Sequence, residues 1–286
     1  KRQPLFSLLC AGVGLRQSSR MLGLALRCTE HKFRKIARHL RGLNRNLPGP
    51  LPGGVTLQFD ELETYETRRS TRPLTLPMLI ERGSRFVLAA RSAPIRPSGK
   101  MTDARRKAIA DDDGEHRRQS RSKPACRAVL RRGAALCTAH ETVHLQTDEK
   151  RTYPKLAREL FGAERLRHET SPSRLPRTAW NPLFPINNTE AIARDLTGRL
   201  RRESWLVSKF RWFLNLQLEL FMAYRNYVRR RFNHVKETPA QELGVVDRVM
   251  TPTQLLSWRQ DWRQNSTHPL AVAAESVAQW RERRAA

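Results

Sequence analysis

Two aspartates, Asp60 and Asp148, each close an apolar run that alternates like a β-strand. Asp60 lies in VTLQFDELETY and Asp148 lies in ETVHLQTDEK. A carboxylate just past a strand is held rigidly yet open to solvent, and Mg²⁺ and Mn²⁺ prefer such oxygen ligands. The two acids therefore predict a divalent-metal site suited to phosphodiester chemistry, which needs carboxylates that are close in space and distant in sequence. Strand alternation directs Glu61 away from Asp60.

The charge of the chain favours a polyanionic partner. There are 54 Lys and Arg residues against 27 Asp and Glu, a formal net charge of +27. An excess this large repels itself in the folded state, and a polyanion relieves the repulsion. Arginine supplies most of it, and its planar fork suits phosphate. Nucleic acid is therefore the favoured partner and a membrane surface the second. No apolar run approaches the roughly 18 residues of a membrane-spanning helix.

Cysteine usage fits a reducing cytoplasm. The four cysteines form no CxxC pair and offer neither a zinc site nor a disulfide framework. They are Cys10, Cys28, Cys126 and Cys137.

Three helical patterns occupy residues 4–45, with Gly23 marking the turn between the second and the third. This is the helix-turn-helix layout, in which the last helix enters the major groove of DNA. We predict a DNA-binding module at 1–46. The residues expected to face DNA are Arg27, His31, Lys32 and Lys35. The alternative is a plain helical bundle with a solvated basic face.

A second unit follows a Pro- and Gly-rich linker at 47–54. Residues 55–234 read as three strands, a helix, a strand, a helix and a long helix, an α/β order with antiparallel strands first. This order matches the RNase H-like arrangement: a mixed β-sheet flanked by helices, with one acid on the first strand and another just after the fourth. Residues 165–187 read as irregular, and 235–286 read as a basic polar tail.

The segment 97–124 is too polar to bury a core. We predict a mobile insertion or weak helix, with Asp111, Asp112 and Asp113 in solvent.

Four motifs in this order resemble bacterial insertion-sequence transposases of the DDE superfamily that combine a helix-turn-helix with an RNase H-like catalytic domain. The motifs are FDELETYE, the strand pair before RSAPIRP, LQTDEKRTYP and INNTEAIARDLTGRLRRESWLVSK, and the resemblance covers roughly residues 5–235. The resemblance implies metal-dependent DNA cleavage and strand transfer at element ends, with Mg²⁺ or Mn²⁺ held first by Asp60 and Asp148. It also implies a homo-oligomer on double-stranded DNA, both element ends and target, in a cytoplasmic, nucleoid-associated setting.

The third acid of such a site is expected near the start of the helix after the Pro-rich segment. Glu190 occupies that place, and Asp195 and Asn187 are the alternates. On a helical wheel Glu190 falls well off the core stripe of Ile192, Leu196 and Leu200, and Asp195 falls nearer its flank. We predict Glu190 as the third catalytic and metal-binding acid.

Basic residues of the same region are expected to bind the DNA backbone, although a solvated face is the alternative. They are Arg194, Arg201, Arg202 and Lys209. Two rival functions keep the basic surface: a decayed transposase copy that binds DNA without catalysis, and a related RNase H-like nuclease. Convergence of three carboxylates would distinguish an active transposase from a decayed copy. Dependence on terminal repeats would distinguish a transposase from a nuclease.

Overall fold

A computed structural model describes residues 1–114, 117–138, 140–201 and 204–259. The helices in these residues are α1 (Arg2–Cys10), α2 (Leu15–Met21), α3 (Leu26–Asn46), α4 (Asp103–Asp113), α5 (Ser122–Ala134), α6 (Tyr153–Phe161), α7 (Phe184–Leu196), α8 (Arg211–Tyr227), α9 (Pro239–Glu242) and α10 (Pro252–Ser257). The strands are β1 (Thr56–Tyr65), β2 (Pro73–Glu81), β3 (Val87–Ala90), β4 (Ala93–Pro94), β5 (Val143–Asp148) and β6 (Leu166–Ser171).

The strands form one mixed sheet in the order β3-β2-β1-β5-β6, and β4 pairs with β2. β1 runs antiparallel to β2 and parallel to β5, and β5 runs parallel to β6. Helices pack on the sheet, so the prediction of an α/β fold with antiparallel strands first is confirmed.

The alternation of β1 sorts its side chains between two hydrophobic cores. Leu57 and Phe59 belong to the core that also contains residues of α1, α3, α5, α6 and α8. Leu62 belongs to the core on the other face, with residues of β2, α7 and α8. Because successive side chains of a strand point to opposite faces, Asp60 shares the face of α7 while Glu61 shares the face of α5 and α6.

The three N-terminal helices share a core with the sheet. Phe33, Ile36 and Leu40 on one face of α3 are buried, and α3 packs against α8, where Phe33 stacks on Phe213 with ring centroids 5.9 Å apart. Leu51, inside the predicted linker, is also buried. Within the described residues, the helices before the predicted linker at 47–54 and the sheet after it therefore share one hydrophobic core.

Residues 165–187 contain a strand, so the expectation of an entirely irregular segment is wrong. β6 pairs with β5 over six positions, from Val143↔Leu166 to Asp148↔Ser171. Its sequence, LRHETS, is mostly polar because β6 is the edge strand of the sheet and most of its side chains are not buried. Polar edge strands carry little hydrophobic alternation, which explains why the sequence pattern did not reveal this one.

The polar insertion contains α4, which buries none of its residues. The expectation that Asp112 lies in solvent is wrong, because its carboxylate accepts a hydrogen bond from Thr71 and lies 3.9 Å from the guanidinium groups of both Arg68 and Arg72. Arg118 pairs with Glu66 at 3.0 Å. These contacts attach the middle of the insertion to the connection between β1 and β2.

The described part of the predicted tail packs on the core, which corrects its reading as a wholly polar segment. α9 contacts α8, and α10 contacts α1 and α3. Leu255 and Trp258 are buried there. Residues 260–286 lie outside the described residues.

Candidate active site at the fork between β1 and β5

The candidate site lies where two parallel strands separate. The β1–β5 ladder runs from Thr56↔His144 to Gln58↔Gln146. Beyond it, β1 continues to Tyr65 paired with β2, whereas β5 ends at Asp148. Asp60 is thus the fifth residue of a ten-residue strand, and the expectation that it closes its strand is wrong. Its position is nevertheless open on the β5 side, because the ladder with β5 has already ended.

Asp60 is electrostatically linked to Asp148. Burial raises the pKa of Asp60 to about 6; the backbone N–H of Glu61, which donates to Asp60 Oδ1 at 2.7 Å, opposes the rise, and the negative charge of Asp148 adds to it. A carboxyl with a raised pKa beside a second carboxylate is a frequent property of functional sites.

Glu190 joins this pair from α7. It is 5% exposed, and burial together with the negative charge of Asp60 raises its pKa well above the ordinary value. Asp60 therefore interacts with both other acids, so the structure brings Asp60, Asp148 and Glu190 into one neighbourhood.

The helical-wheel interpretation of α7 needs correction. Glu190 lies on the buried side with Ile186, Thr189 and Ala193, and Asp195 is exposed. α7 packs against β1, so β1 covers the side of the helix that carries Glu190. Asn187 is partly buried one turn before Glu190. Of the three candidates for the third acid, Glu190 is the one whose charge interacts with Asp60.

A buried amide fixes α7 against both strands. Gln58 is fully buried, and its Nε2 donates to Gln146 Oε1 at 2.9 Å and to the carbonyl of Pro182 at 2.7 Å. Its Oε1 accepts from the backbone N–H of Ile186 at 3.0 Å. Because Gln58 lies two residues before Asp60 on the same face of β1, these bonds set the position of α7 next to Asp60. Sequence reasoning missed Gln58, and its only signal was a polar residue at an inward strand position.

The three acids suit a divalent cation in chemistry and charge. All are hard oxygen donors, and Glu190 Oε1 is buried without a hydrogen-bond partner among the described residues. A cation would offset both the burial and the mutual repulsion that raise the pKa values of Asp60 and Glu190. Within the described residues, however, no group of three or more His, Cys, Asp and Glu side chains has the arrangement to hold an ion. The acids are therefore neighbours that would have to draw together around a metal.

Glu61 takes part in a separate network on the opposite face of β1. Burial disfavours its charge, but hydrogen bonds from Lys150, Thr75 and Ser122 outweigh burial and lower its pKa to about 2. Thr75 donates at 2.6 Å, Ser122 at 2.7 Å and Tyr153 at 2.8 Å. The backbone N–H of Lys150 also donates to Asp148 Oδ1 at 3.0 Å. The network therefore reaches Asp148 through the backbone of Lys150.

Positive charge lies beside the acids. The charge of Arg177 opposes the rise in the pKa of both Asp60 and Glu190, and the charge of Arg194 opposes the rise for Glu190. Arg194 also donates to the carbonyl of Glu63 at 3.2 Å. Arg177 belongs to the segment predicted to be irregular, and sequence reasoning gave it no role.

Two of the predicted DNA-binding cations meet at a basic cavity. Arg194 and Arg201 line a cavity of about 730 Å³ together with three arginines that sequence reasoning missed: Arg68, Arg69 and Arg105. Lys209 lies at a different cavity, against α2 and α3. Arg202 lies outside the described residues.

On α3, the predicted DNA-facing residues are on the solvent side. Arg27, His31 and Lys35 are exposed and Lys32 is partly exposed.

No helix in the described residues is both long enough and apolar enough to cross a membrane. No protein-family model matches the chain, and no curated protein matches it significantly.

Proposed function

We propose that this protein is a metal-dependent DNA-cleaving and strand-transferring enzyme, a DDE-type transposase. The observation that carries the proposal is the interaction of Asp60 with both Asp148 and Glu190 at the fork between β1 and β5. Three carboxylates from a central strand, its parallel neighbour and a later helix provide the donors that phosphodiester chemistry with Mg²⁺ or Mn²⁺ requires.

The strand order supports an RNase H-like catalytic domain. The antiparallel strands β1 to β4 come first, and β5 then lies parallel to β1, on its other side. This connectivity puts Asp60 and Asp148 on neighbouring strands, although residues 60 and 148 are 88 positions apart in the sequence.

The three acids share one role in the proposed mechanism, which is to bind the metal. Asp60, Asp148 and Glu190 would hold Mg²⁺ or Mn²⁺, which when bound activates the attacking oxygen and stabilises the leaving one. The raised pKa of Glu190 favours a proton on its carboxyl, and that proton must leave before the group can act as a ligand. Arg177 and Arg194 would place a phosphate beside the acids.

DNA would be held on two basic surfaces. One is the exposed start of α3, acting as the recognition helix of a helix-turn-helix. The other is the arginine cavity that contains Arg194 and Arg201. Binding through so many cations should weaken steeply with salt. Cleavage at two element ends would be coordinated in a homo-oligomer.

The DNA that flanks the gene is first searched for inverted repeats. The decisive experiment then measures metal-dependent cleavage of duplexes that carry those sequences. Asp60→Asn, Asp148→Asn and Glu190→Gln should each reduce cleavage at least about 100-fold, since even residues that only support metal ligands cost about 10–100-fold. Asp195→Asn, an exposed acid on α7, is the matched control. Wild-type cleavage without dependence on repeats would favour a nuclease, and DNA binding without cleavage would favour a decayed copy.

Binding by α3 has its own test. Lys32→Ala with Lys35→Ala should weaken binding to terminal-repeat DNA and reduce the salt slope by about one for each phosphate that the two lysines bind. The control removes two exposed cations of α6, Lys155→Ala with Arg158→Ala. Equal binding by both double variants would indicate that the N-terminal helices are a structural bundle.

A further inference from the structure

A fully buried arginine on α8 has no hydrogen-bond partner among the described residues. Arg225 is 0% exposed, and all three of its guanidinium nitrogens lack such a partner. Burying a charge without compensation is costly, and buried charges in proteins are normally paired. The unpaired guanidinium of Arg225 therefore adds uncompensated positive charge to the interior of the fold.

The charges around Arg225 are also positive. Burial, together with the charges of Arg229, Arg85 and Arg231, lowers the pKa of Arg225 to about 10. Arg85 is held in the left-handed backbone region, with φ of 61°, and donates to Asn188 Oδ1 at 2.6 Å. A non-glycine residue in this region is strained unless its surroundings fix it. Arg231 pairs with Glu242 at 3.1 Å, and the charges of Arg85, Arg225 and Arg229 make the potential at this place positive.

A cavity lies directly beside this cluster. It measures about 510 Å³ and is lined by Asn188 and Ile192 of α7 and by residues 229–233. Arg229 and Arg231 therefore belong both to the cavity wall and to the surroundings of Arg225. Positions 188 and 192 are two residues from Glu190 in either direction, which is about 200° around a helix. The cavity is accordingly on the other side of α7 from the acids.

We propose that this cavity is an anion site that binds a phosphodiester group of a nucleic-acid strand, with Arg229 and Arg230 as direct contacts and Arg225 supplying buried positive charge. The phosphate chemistry follows from the arginine cluster, because guanidinium groups bind phosphate oxygens in a fork geometry. The choice of a nucleic acid over free phosphate rests on the proposed function. A strand bound here would wrap around α7 and leave the acids for a different phosphate.

The first measurement is the melting temperature of the full chain in inorganic phosphate and in chloride of equal ionic strength. Phosphate should stabilise the wild type, because a ligand that binds only the folded state raises its stability. Arg229→Gln with Arg230→Gln should abolish that stabilisation, whereas Lys155→Gln with Arg158→Gln on α6 should keep it. Arg225→Met should melt higher than wild type in chloride and should also show no stabilisation by phosphate. No response of the wild type to phosphate, or an unchanged response of the 229/230 variant, would overturn the site.

The second measurement decides the source of the phosphate. For a nonspecific DNA duplex, Arg229→Gln with Arg230→Gln should reduce the slope of log affinity against log salt by about one, since the site holds one phosphate and each phosphate neutralised by the protein contributes about 0.9. The α6 variant should leave more of that slope in place. A slope unchanged by the 229/230 variant, with phosphate stabilisation intact in the wild type, would overturn the nucleic-acid assignment. Failure of the proposed function would instead appear as absent cleavage by the wild type, which neither measurement uses.

Discussion

Replacing Asp60 with asparagine should stabilise the metal-free protein at neutral pH. The carboxyl of Asp60 has a folded-state pKa of about 6 against an ordinary value of 3.8. Its ionisation therefore costs free energy in the folded state. The contribution of this carboxyl to the free energy of unfolding is fully present below about pH 3.8, where it is protonated, and is lost as the pH rises through about 6.

The size of the effect follows from the same two values. A tenfold change in an acid constant is worth about 1.36 kcal/mol, so the rise of the pKa from 3.8 to about 6 is worth at most about 3 kcal/mol. Asparagine has nearly the same shape and no charge, so Asp60→Asn should recover most of this at about pH 7.5. At about 2–4 °C for each kcal/mol, the melting temperature should rise by roughly 5–10 °C.

The assay is thermal unfolding in chelator at a series of pH values, with Asp195→Asn as the control because Asp195 is exposed on α7. The gain of Asp60→Asn should shrink as the pH falls through 6 and disappear near about pH 3.5. Mg²⁺ or Mn²⁺ should then stabilise the wild type and leave Asp60→Asn unchanged. A gain that persists at low pH, or no gain at neutral pH, would refute the reasoning, since the substitution removes the titrating carboxyl of Asp60.

Three further changes have measurable consequences. Gln58→Leu should destabilise the protein by about 1–3 kcal/mol in urea unfolding, because it leaves the buried N–H of Ile186 unpaired; a variant as stable as wild type would contradict this. Lys150→Met should weaken Mn²⁺ binding about 10-fold in calorimetry by loosening the loop that bonds Asp148, while Lys150→Arg should restore it. Asp112→Asn should speed limited trypsin cleavage at Arg117–Arg121, and an unchanged rate would mean that its pairing does not hold the insertion.

The local sequence determined which side chains share a face and which class of partner the charge favours. The alternation of β1 alone separates Asp60 from Glu61, because strand side chains alternate whatever packs against them. The arginine excess alone favours a polyanion. The order of apolar runs was enough to predict an α/β chain, in which antiparallel strands precede a helix-connected one.

Packing across the chain decided the rest. A helical wheel put Glu190 off the core stripe, yet α7 packs against β1 and buries it beside Asp60. β6 joined the sheet although its sequence is polar, because pairing along β5 satisfies its backbone. Arg225 is fully buried although it is charged, because α8 packs against both the sheet and other helices. Sequence periodicity shows only which side chains share a face of one helix or strand. The burial of a polar group depends instead on which other element covers that face, and contacts between distant parts of the chain decide this.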